Sequence, residues 1–184
     1  MYTWILIFLV VAAVFFVLKL AYAFSTALVL PFTRGALYVS TSRVRISAFM
    51  DAVPMQPGQL LVDIGCGDGR VLRKVRKRYG ARALGYELNF LAYLKAKLLC
   101  LGLRSVEVKW GNFWTADLSE ADVVFCYLFP DVMSDLAAKF KANLKPGTVV
   151  VSCNFHLPGF IPEQVLRPGN SLHNSPIYIY RLNT

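Results

Sequence analysis

The chain has 184 residues, an apolar fraction of 56% and a net charge of +9. The length is typical of one domain, and the apolar fraction exceeds the usual value of about 45–50% because of an excess near the N-terminus. The cysteines show no C-x-x-C spacing, which excludes a disulfide or zinc framework and favours small buried side chains in a reducing compartment. They are Cys66, Cys100, Cys126 and Cys153. No metal site is expected.

Residues 1–32 form a strongly apolar segment in which Lys19 is the one charged side chain. As a helix, Trp4 to Phe32 would be about 43 Å long, against about 30 Å for the hydrocarbon core of a bilayer. Fourteen Leu, Ile, Val and Phe residues lie between Ile5 and Phe24. At about −0.3 to −0.6 kcal/mol each, they outweigh the roughly 3 kcal/mol cost of one lysine. The sequence therefore predicts a single transmembrane anchor.

Two further features bear on the use of this segment. Ala21-Tyr22-Ala23 resembles a signal-peptidase site, so a cleaved signal peptide is the alternative. No Lys or Arg precedes the apolar run, which argues against a secretory signal. Arg34, Arg43 and Arg45 follow the segment, and the positive-inside rule then predicts that the rest of the chain faces the cytoplasm.

Residues 33–58 are predicted to be a connector that contains a short helix. Ser40 to Ser42 can cap this helix, and the apolar residues after them recur at helical spacing. The Pro-rich stretch from Pro54 to Gly58 ends it. On the pattern alone, the helix is either a lid beside a ligand pocket or a plain linker.

The motif that organises the rest of the chain is an apolar strand ending in a glycine-rich turn. Leu60 to Ile64 form the strand, and Gly65, Gly67 and Gly69 follow at alternate positions. Glycine lets a ligand approach the backbone, and the start of the next helix is expected to present free N–H groups. The spacing is G-x-G-x-G, which differs from the G-x-G-x-x-G of a dinucleotide site.

Glu87 strengthens this interpretation. It lies at the end of a second strand-like run, Ala81 to Leu88, and a carboxylate there can accept hydrogen bonds from both hydroxyls of a ribose. The turn and the acid together predict a nucleoside-cofactor site. The glycine spacing favours S-adenosylmethionine over NAD.

The helix predicted after the glycine turn is strongly basic. Val71, Leu72, Val75 and Tyr79 form one apolar face, whereas residues 70–82 contain seven cations and no acid. A solvated surface is one interpretation. Attraction to anionic lipid headgroups is another, worth about 1 kcal/mol per cation near a bilayer. Nucleic acid is not expected as a partner, because no aromatic stacking platform is evident.

Strands and helices alternate along residues 59–184. The further predicted strands are 106–110, 122–129, 148–153, 165–166 and 177–180, the last two as a hairpin, and the further helices are 90–101 and 130–144. Buried strands separated by helices indicate an α/β fold with a doubly wound, mostly parallel sheet. Ligands bind beyond the carboxyl ends of such strands.

Five segments of the chain resemble class I S-adenosylmethionine-dependent methyltransferases. They are Asp63 to Arg70, Gly85 to Asn89, Asn112 to Trp114, Tyr127 to Val132 and Val150 to Gly159. Within that superfamily they are similar to the membrane-anchored protein-lysine methyltransferases that act on the ATP synthase c-subunit and the adenine nucleotide translocase, and to short prokaryotic relatives. The resemblance covers about residues 38–162. It implies a seven-stranded Rossmann-like sheet and S-adenosylmethionine as the cofactor.

The strand ends and the resemblance together give the candidate cofactor-binding residues. Asp63 is expected to organise the glycine turn and to meet the methionine amino group. The resemblance implies that Asn112, where an Asp is usual, contacts the adenine. Asp68 is either a helix cap or a ligand contact. The full set is Asp63, Gly65, Cys66, Gly67, Asp68, Gly69, Glu87, Leu88, Asn112, Phe113 and Tyr127.

Tyr127 and Asp131 are the candidate catalytic residues. A lysine acceptor must be neutral, and deprotonating an amine of pKa near 10.4 at pH 7 costs about 4.6 kcal/mol. Burial in an aromatic pocket lowers that pKa, and Asp131 is positioned to orient the ammonium or take its proton. Each residue also has a purely structural explanation. Tyr127 would then be part of the strand core, and Asp131 would be an acidic residue that stabilises the first turn of a helix. The aromatic residues available as walls are Phe113, Trp114, Tyr127 and Phe129.

These observations predict a membrane-anchored methyltransferase that modifies a lysine on a membrane protein. Tethering raises the effective concentration of any target in the same bilayer, which motivates that choice of partner. The first alternative is methylation of a membrane-soluble small molecule such as a lipid or quinone. The second is a non-catalytic scaffold with the cofactor-binding fold.

Overall fold

The computed structural model describes residues 2–29, 40–169 and 175–183. The chain divides into two units, Met1–Leu37 and Tyr38–Thr184, and each is described by itself. The end of the predicted anchor (residues 30–32) and the start of the predicted connector (residues 33–39) lie outside the described residues.

The first unit contains one long helix, α1, from Tyr2 to Val29. Its apolar side chains are exposed along the candidate span Tyr2–Leu28, and its length and composition are sufficient to cross a membrane. Lys19 places its ammonium 5.1 Å from the centre of the Phe15 ring, one helical turn away. Such a contact partly shields the charge.

The second unit is built on a seven-stranded mixed sheet. Its strands are β1 Leu60–Ile64, β2 Arg82–Glu87, β3 Val106–Trp110, β4 Val123–Cys126, β5 Val149–Cys153, β6 Gln164–Leu166 and β7 Ile177–Arg181. Their order is β3-β2-β1-β4-β5-β7-β6. The first five strands are parallel, and β7 is antiparallel to both β5 and β6. The predicted doubly wound, mostly parallel sheet is confirmed.

Helices cover both faces of this sheet. They are α2 Arg43–Ala52, α3 Arg70–Tyr79, α4 Phe90–Leu99 and α5 Met133–Asn143, with 3₁₀ turns at Phe113–Thr115 and Pro130–Val132. Residues of α2, α3 and α4 join one buried cluster with the inner side chains of the sheet, and residues of α5 join a second cluster. The strand order reverses at β1, so the connections on its two sides cover opposite faces.

Two predicted elements end at least two residues earlier than the pattern indicated. The predicted strand 122–129 is hydrogen-bonded over Val123–Cys126 alone, because Pro130 opens a 3₁₀ turn and the three residues before it turn away from the ladder. The helix predicted to Leu101 ends at Leu99. Gly102, with φ +80°, then reverses the chain.

The helix of the connector, α2, is a core element. Ser42 caps it by accepting a hydrogen bond from the Arg45 N–H. Ile46, Phe49 and Met50 are buried in the first cluster, and the ring of Phe49 lies 5.0 Å from that of Phe125 on β4. This burial makes α2 part of the core of the folded unit, so it is more than a plain linker.

Candidate active site

The turn after β1 requires glycine at three positions. Gly65, Gly67 and Gly69 have φ values of +87°, +55° and +70°, a region that side chains disfavour. Opposite the turn, Gly85 of β2 leaves room for it, because a Cβ on Gly85 would lie 2.6 Å from the sulfur of Cys66. The close approach of turn and strand brings the ends of β1 and β2 together.

The backbone N–H groups of this turn donate within the protein. Those of Gly65 and Cys66 donate to the Tyr86 carbonyl, and that of Gly69 donates to Cys66. The Gly67 N–H donates to Glu87. The turn itself therefore offers no free N–H group at these four positions. The prediction concerned the start of the next helix, where the Arg70 N–H donates to Asp68. A pyrophosphate would need free N–H donors, so the geometry disfavours a dinucleotide.

Glu87 is held in a fixed orientation at the end of β2. Its Oε2 accepts the Gly67 N–H at 2.8 Å, and its Oε1 accepts the Asn89 N–H at 2.8 Å. Burial raises the pKa of Glu87, and these backbone hydrogen bonds oppose the rise. A carboxylate has about four acceptor sites. Each oxygen therefore retains capacity for a ligand hydroxyl.

Asp63 is a buried acid in the middle of the sheet. It precedes the end of β1 by one residue, and its neighbours in register are Gly85 and Phe125. Burial raises the pKa of Asp63 well above its ordinary value, and the charges of Glu87 and Asp68 add to the rise. A ligand ammonium would compensate this buried carboxylate, since opposite charges favour the ionised form.

Asp68 points into a protein ion pair. Its carboxylate binds the Arg70 guanidinium through two hydrogen bonds of 2.9 and 2.8 Å and also accepts the Arg70 backbone N–H. Burial raises the pKa of Asp68, but the hydrogen bonds and charge of Arg70, with the charge of Arg73, outweigh it and leave the pKa lowered. Of the two predicted roles, this geometry favours the helix start.

The ends of β2 and β3 meet beside the glycine turn. The Gly111 N–H donates to the Glu87 carbonyl, and Leu88 accepts the indole N–H of Trp110. Asn112 caps the first 3₁₀ turn, its Oδ1 accepting the Trp114 N–H at 3.1 Å. The amide nitrogen of Asn112 thus remains as the donor suited to an adenine acceptor.

The predicted aromatic walls divide between the two faces of the sheet. The rings of Phe113 and Trp114 lie 4.8 Å apart and pack against the second cluster. Tyr127 packs against the first cluster. The four aromatic residues therefore do not form one continuous cage on a single face.

A polar group joins the ends of β4 and β5. The Asn154 amide donates to the Tyr127 hydroxyl at 3.0 Å, and the Arg45 guanidinium lies 5.1 Å above the Tyr127 ring. Among the described residues, Asn154 Oδ1 is one of two buried side-chain atoms without a hydrogen-bond partner. A buried acceptor of this kind is costly unless a ligand satisfies it.

The sequence did not indicate the contribution of Arg45, and it placed Asn154 at a strand end near the expected ligand without a specific role. Arg45 was counted as a cation flanking the anchor, but its side chain is buried and donates to the Pro176 carbonyl at 3.1 Å. Asn154 has φ +72°. Asn tolerates that conformation better than most residues, so an Asn directly after β5 was the available signal.

The remaining titratable side chains in and directly after β4 and β5 are either exposed or buried in the core. Asp131 is exposed at the start of the second 3₁₀ turn. His156 is exposed with its ring 6.4 Å from that of Tyr178. Burial raises the pKa of both Cys126 and Cys153 to about 12, so these thiols are neutral core side chains, as the sequence predicted. Cys66 is buried likewise.

The comparison with protein families decides the identity of this fold. A model described as the ANTKMT methyltransferase domain matches residues 63–164, which is more than half of the chain. The chain belongs to this methyltransferase family. It is an S-adenosylmethionine-dependent methyltransferase, as the resemblance predicted.

Curated relatives of this methyltransferase agree with the family assignment. A protein-lysine N-methyltransferase from Saccharolobus islandicus is 33% identical over 149 residues, which cover 78% of this chain and 91% of the relative. An ATP synthase C-subunit lysine N-methyltransferase from Xenopus laevis is 27% identical over 153 residues, covering 80% and 67%. The mouse adenine nucleotide translocase lysine N-methyltransferase is 33% identical over 137 residues, covering 72% and 58%.

Solved methyltransferase structures share the fold of this chain. An RNA methyltransferase from Salinibacter ruber in complex with S-adenosyl-L-homocysteine has a TM-score of 0.73 at 28% identity, over 79% of this chain and 94% of that one. A methyltransferase from Thiobacillus denitrificans, also with S-adenosyl-L-homocysteine, has a TM-score of 0.51 at 19% identity, over 64% and 50%, and shows the fold alone.

Proposed function

We propose that this methyltransferase transfers a methyl group to the side-chain amine of a lysine on a membrane protein. The observation that carries the proposal is the polar group at the ends of β4 and β5. There a buried Asn154 oxygen without a protein partner lies on the side chain that binds the Tyr127 hydroxyl. The Asn154 Oδ1 and the Tyr127 hydroxyl are two hydrogen-bond acceptors, and together they suit an incoming amine.

Asp63 and Glu87 are proposed to hold the cofactor at its two polar ends. Asp63 would meet the amino group of the methionine part, and Glu87 the two ribose hydroxyls. Asn112 would bind the adenine, with Leu88 and Phe113 beside it, and the turn from Gly65 to Gly69 would allow close approach. The bound cofactor supplies an electrophilic methyl group, so positioning provides most of the acceleration.

The substrate side must supply a neutral amine in line with the methyl group. Tyr127 and Asn154 are proposed to accept hydrogen bonds from the amine and so fix its direction. Partial burial near Tyr127 would favour the neutral form of the amine. Asp131, exposed at the start of the second 3₁₀ turn, is proposed to attract the incoming ammonium and to take its proton.

The membrane part of the proposal concerns α1 and the target. Helix α1 is proposed to cross the bilayer as a single span, with the methyltransferase unit on the cytoplasmic side, where S-adenosylmethionine is available. Two relatives carry names that specify the ATP synthase C-subunit and the adenine nucleotide translocase, which are membrane proteins. A shared bilayer would bring such a target to the site repeatedly.

Radiolabelled cofactor separates the proposal from its alternatives. The full chain is added to membranes with S-adenosylmethionine labelled in the methyl group, and the label is followed into protein and into solvent extract. Label on lysine in a protein band supports the proposal, whereas label in the extract indicates a lipid or quinone acceptor. No cofactor binding by calorimetric titration would leave a scaffold.

The variant Asn154→Ala tests the substrate side of the same site. It should lower the turnover number on protein substrate by up to about 10-fold, since a hydrogen bond between neutral groups is worth about 0.5–1.5 kcal/mol. Cofactor affinity, measured by titration, should stay unchanged. Normal turnover in this variant would contradict the proposed role of Asn154.

A further inference from the structure

Helix α4 packs with its small residues inward and its large apolar residues outward. Ala92 and Ala96 are the residues of α4 that are buried. Phe90, Leu94 and Leu98 recur every fourth residue on the outer face and are exposed, Leu98 to 71%. Residues four apart lie on one side of a helix. The helix thus presents an apolar stripe to solvent, the reverse of an ordinary surface helix.

The stripe continues into the turn that follows α4. Leu99 at the end of α4 and Leu103 after it are exposed, and Leu101 is exposed to 80%. We call Leu94, Leu98, Leu99, Leu101 and Leu103 the leucine patch. Contiguous exposed apolar side chains of this kind mark an interaction surface more often than scattered ones do.

The leucine patch adjoins the basic helix α3. Leu99, Leu101 and Leu103 line a groove of about 620 Å³ whose opposite wall includes Arg73, Arg76 and Lys77. Apolar side chains from the end of α4 and cationic side chains of α3 therefore lie side by side along this groove. At the other end of α4, the exposed Trp110 ring lies 5.1 Å from Phe90.

Cations outnumber acids around α3 and α4, although Asp68 and Asp51 pair with Arg70 and Arg78. Residues 70–106 contain ten of the 20 Lys and Arg residues of the chain. The single acid among them is Glu87, which is half-buried and turned toward the glycine turn. A partner for this surface is therefore expected to carry negative charge and to offer an apolar region that the leucine side chains can contact.

We infer that the leucine patch and the cations of α3 form a docking surface for the anionic headgroup layer of a phospholipid bilayer. Leucine side chains would enter the boundary between headgroups and acyl chains, to a depth of about 5–10 Å. Lys77 of α3 and the exposed Arg104, which follows Leu103 in the chain, would lie at the level of the phosphates. Nucleic acid offers cations a partner but leaves exposed leucines without one, so lipid accounts for both features.

This contact goes beyond methyl transfer and differs from the proposed span. A transmembrane helix fixes the chain to a bilayer without fixing how the folded unit meets the surface. Docking through α3 and α4 would hold the unit in one orientation, and would make that orientation depend on anionic lipid and on salt.

Hydrogen exchange of the full chain in nanodiscs tests the inference. Exchange of peptides covering residues 90–104 is compared between discs of phosphatidylcholine alone and discs that also contain phosphatidylglycerol. Slower exchange is expected on the anionic discs, and the difference should disappear at about 1 M salt, where the Debye length falls to about 3 Å.

Two pairs of variants separate charge from apolar contact. Lys77→Gln with Arg104→Gln should weaken docking by about 30-fold, at about 1 kcal/mol per cation. Leu98→Ser with Leu101→Ser keeps every charge and should also abolish the slowing. The matched controls are Lys109→Gln with Arg167→Gln, and Ile161→Ser at a side chain that is 91% exposed elsewhere. Both controls should dock as the original chain does.

Three results would overturn the inference. Equal exchange of residues 90–104 on both kinds of disc would exclude lipid docking. Slowing that persists in the leucine variant would show that the cations alone bind the bilayer and that the leucine patch takes no part. Slowing by structured RNA in place of anionic lipid, unchanged by the leucine substitutions, would assign the surface to nucleic acid. Exchange of residues 2–29 is read separately, so a failed span and a failed docking surface give different patterns.

Discussion

Glu87 is bound by the protein on one side and retains acceptor sites on the other. Its two oxygens fix the backbone of Gly67 and Asn89, so the carboxylate cannot rotate away from the strand end. A preoriented acceptor loses little entropy when a ligand binds. The same carboxylate also stabilises the glycine turn, so substitutions at this position affect both the fold and the ligand.

Replacing Glu87 by Ala should reduce affinity for S-adenosylmethionine by at least about 100-fold. Two hydrogen bonds to a charged group are lost, each worth about 1.5–3 kcal/mol. Titration calorimetry measures the affinity. Glu87→Gln retains one acceptor oxygen and should give an intermediate value. Unchanged affinity in the Ala variant would refute the ribose assignment.

Asp63 makes the stability of the cofactor-free protein depend on pH. Because burial raises its folded pKa, the stability associated with the neutral acid is present below the unfolded pKa, near 3.9. It is lost as the pH rises through the folded value. Asp63→Asn imitates the neutral acid. Without cofactor, the variant should therefore unfold at a higher temperature than the original chain at pH 7.

Thermal unfolding in detergent at two pH values measures this effect. Near pH 4 the difference between Asp63→Asn and the original chain should shrink, because both carry a neutral group. Saturating S-adenosylhomocysteine should stabilise the original chain more than the variant, because in the variant the amino group of the ligand has no charged partner. A variant that is less stable at pH 7 would show that the ionised carboxylate has a compensating protein partner.

Single residues differ in how well the sequence reveals them. The positions of Asp63 and Glu87 beside the glycine turn were predictable, because each acid lies at the end of an apolar strand-like run; their ligand roles stay predictions. Arg45 and Asn154 were not predictable in this way, because their importance comes from long-range contacts with Tyr127. No local pattern records which side chains meet when two distant strands end side by side.

The glycine turn and β2 act as one packed element. A Cβ on Gly85 would meet the Leu72 Cδ1 at 2.7 Å as well as the Cys66 Cβ at 2.8 Å. Both neighbours are buried, so neither can move without disturbing the start of α3. The shape of the turn is therefore fixed from behind by the absence of a side chain.

Gly85→Ala should destabilise the protein by about 1–3 kcal/mol, the usual cost of overpacking. It should also weaken cofactor binding, because the turn must shift. Gly111→Ala is the matched control, since its Cβ would meet nothing within 4 Å and neither glycine has a positive φ. Denaturant unfolding and cofactor titration report the two effects. Equal stability of the two variants would show that the turn can adapt.

Elements with a strong local pattern were predicted closely, and elements shaped by tertiary contacts were not. β1, β3 and the pairing of β6 with β7 follow the predicted positions because apolar β-favouring runs are bounded by turn residues. β4 was predicted too long, because an apolar run continues past the last ladder hydrogen bond. Burial of α2 depends on Phe125, far along the chain, and no helical spacing could indicate it.

At the scale of the whole molecule, the two units have opposite solvent requirements. Helix α1 exposes apolar side chains along its length, whereas the second unit has its own buried core on both faces of a sheet. A unit with a complete core does not need α1 in order to fold. The role of α1 would then be to hold the methyltransferase unit at the bilayer, which raises the effective concentration of a target in the same bilayer.

Removing residues 1–32 should therefore separate catalysis from location. The turnover number on a soluble peptide that contains the target lysine should be unchanged, because the proposed site residues all lie between Asp63 and Asn154. The rate on the same lysine in a membrane-embedded protein should fall by about 10²–10⁴-fold, the usual gain from tethering. Radiolabel incorporation into the peptide and into the reconstituted membrane protein measures the two rates.

The matched control joins residues 33–184 to an unrelated transmembrane helix. If α1 acts by location alone, this chimera should regain the lost rate on the membrane target, since any span provides the same confinement to the bilayer. A chimera that stays slow would mean that α1 contacts the target through its own side chains. Loss of peptide methylation after truncation would instead show that α1 supports the methyltransferase unit, contrary to the independence of its core.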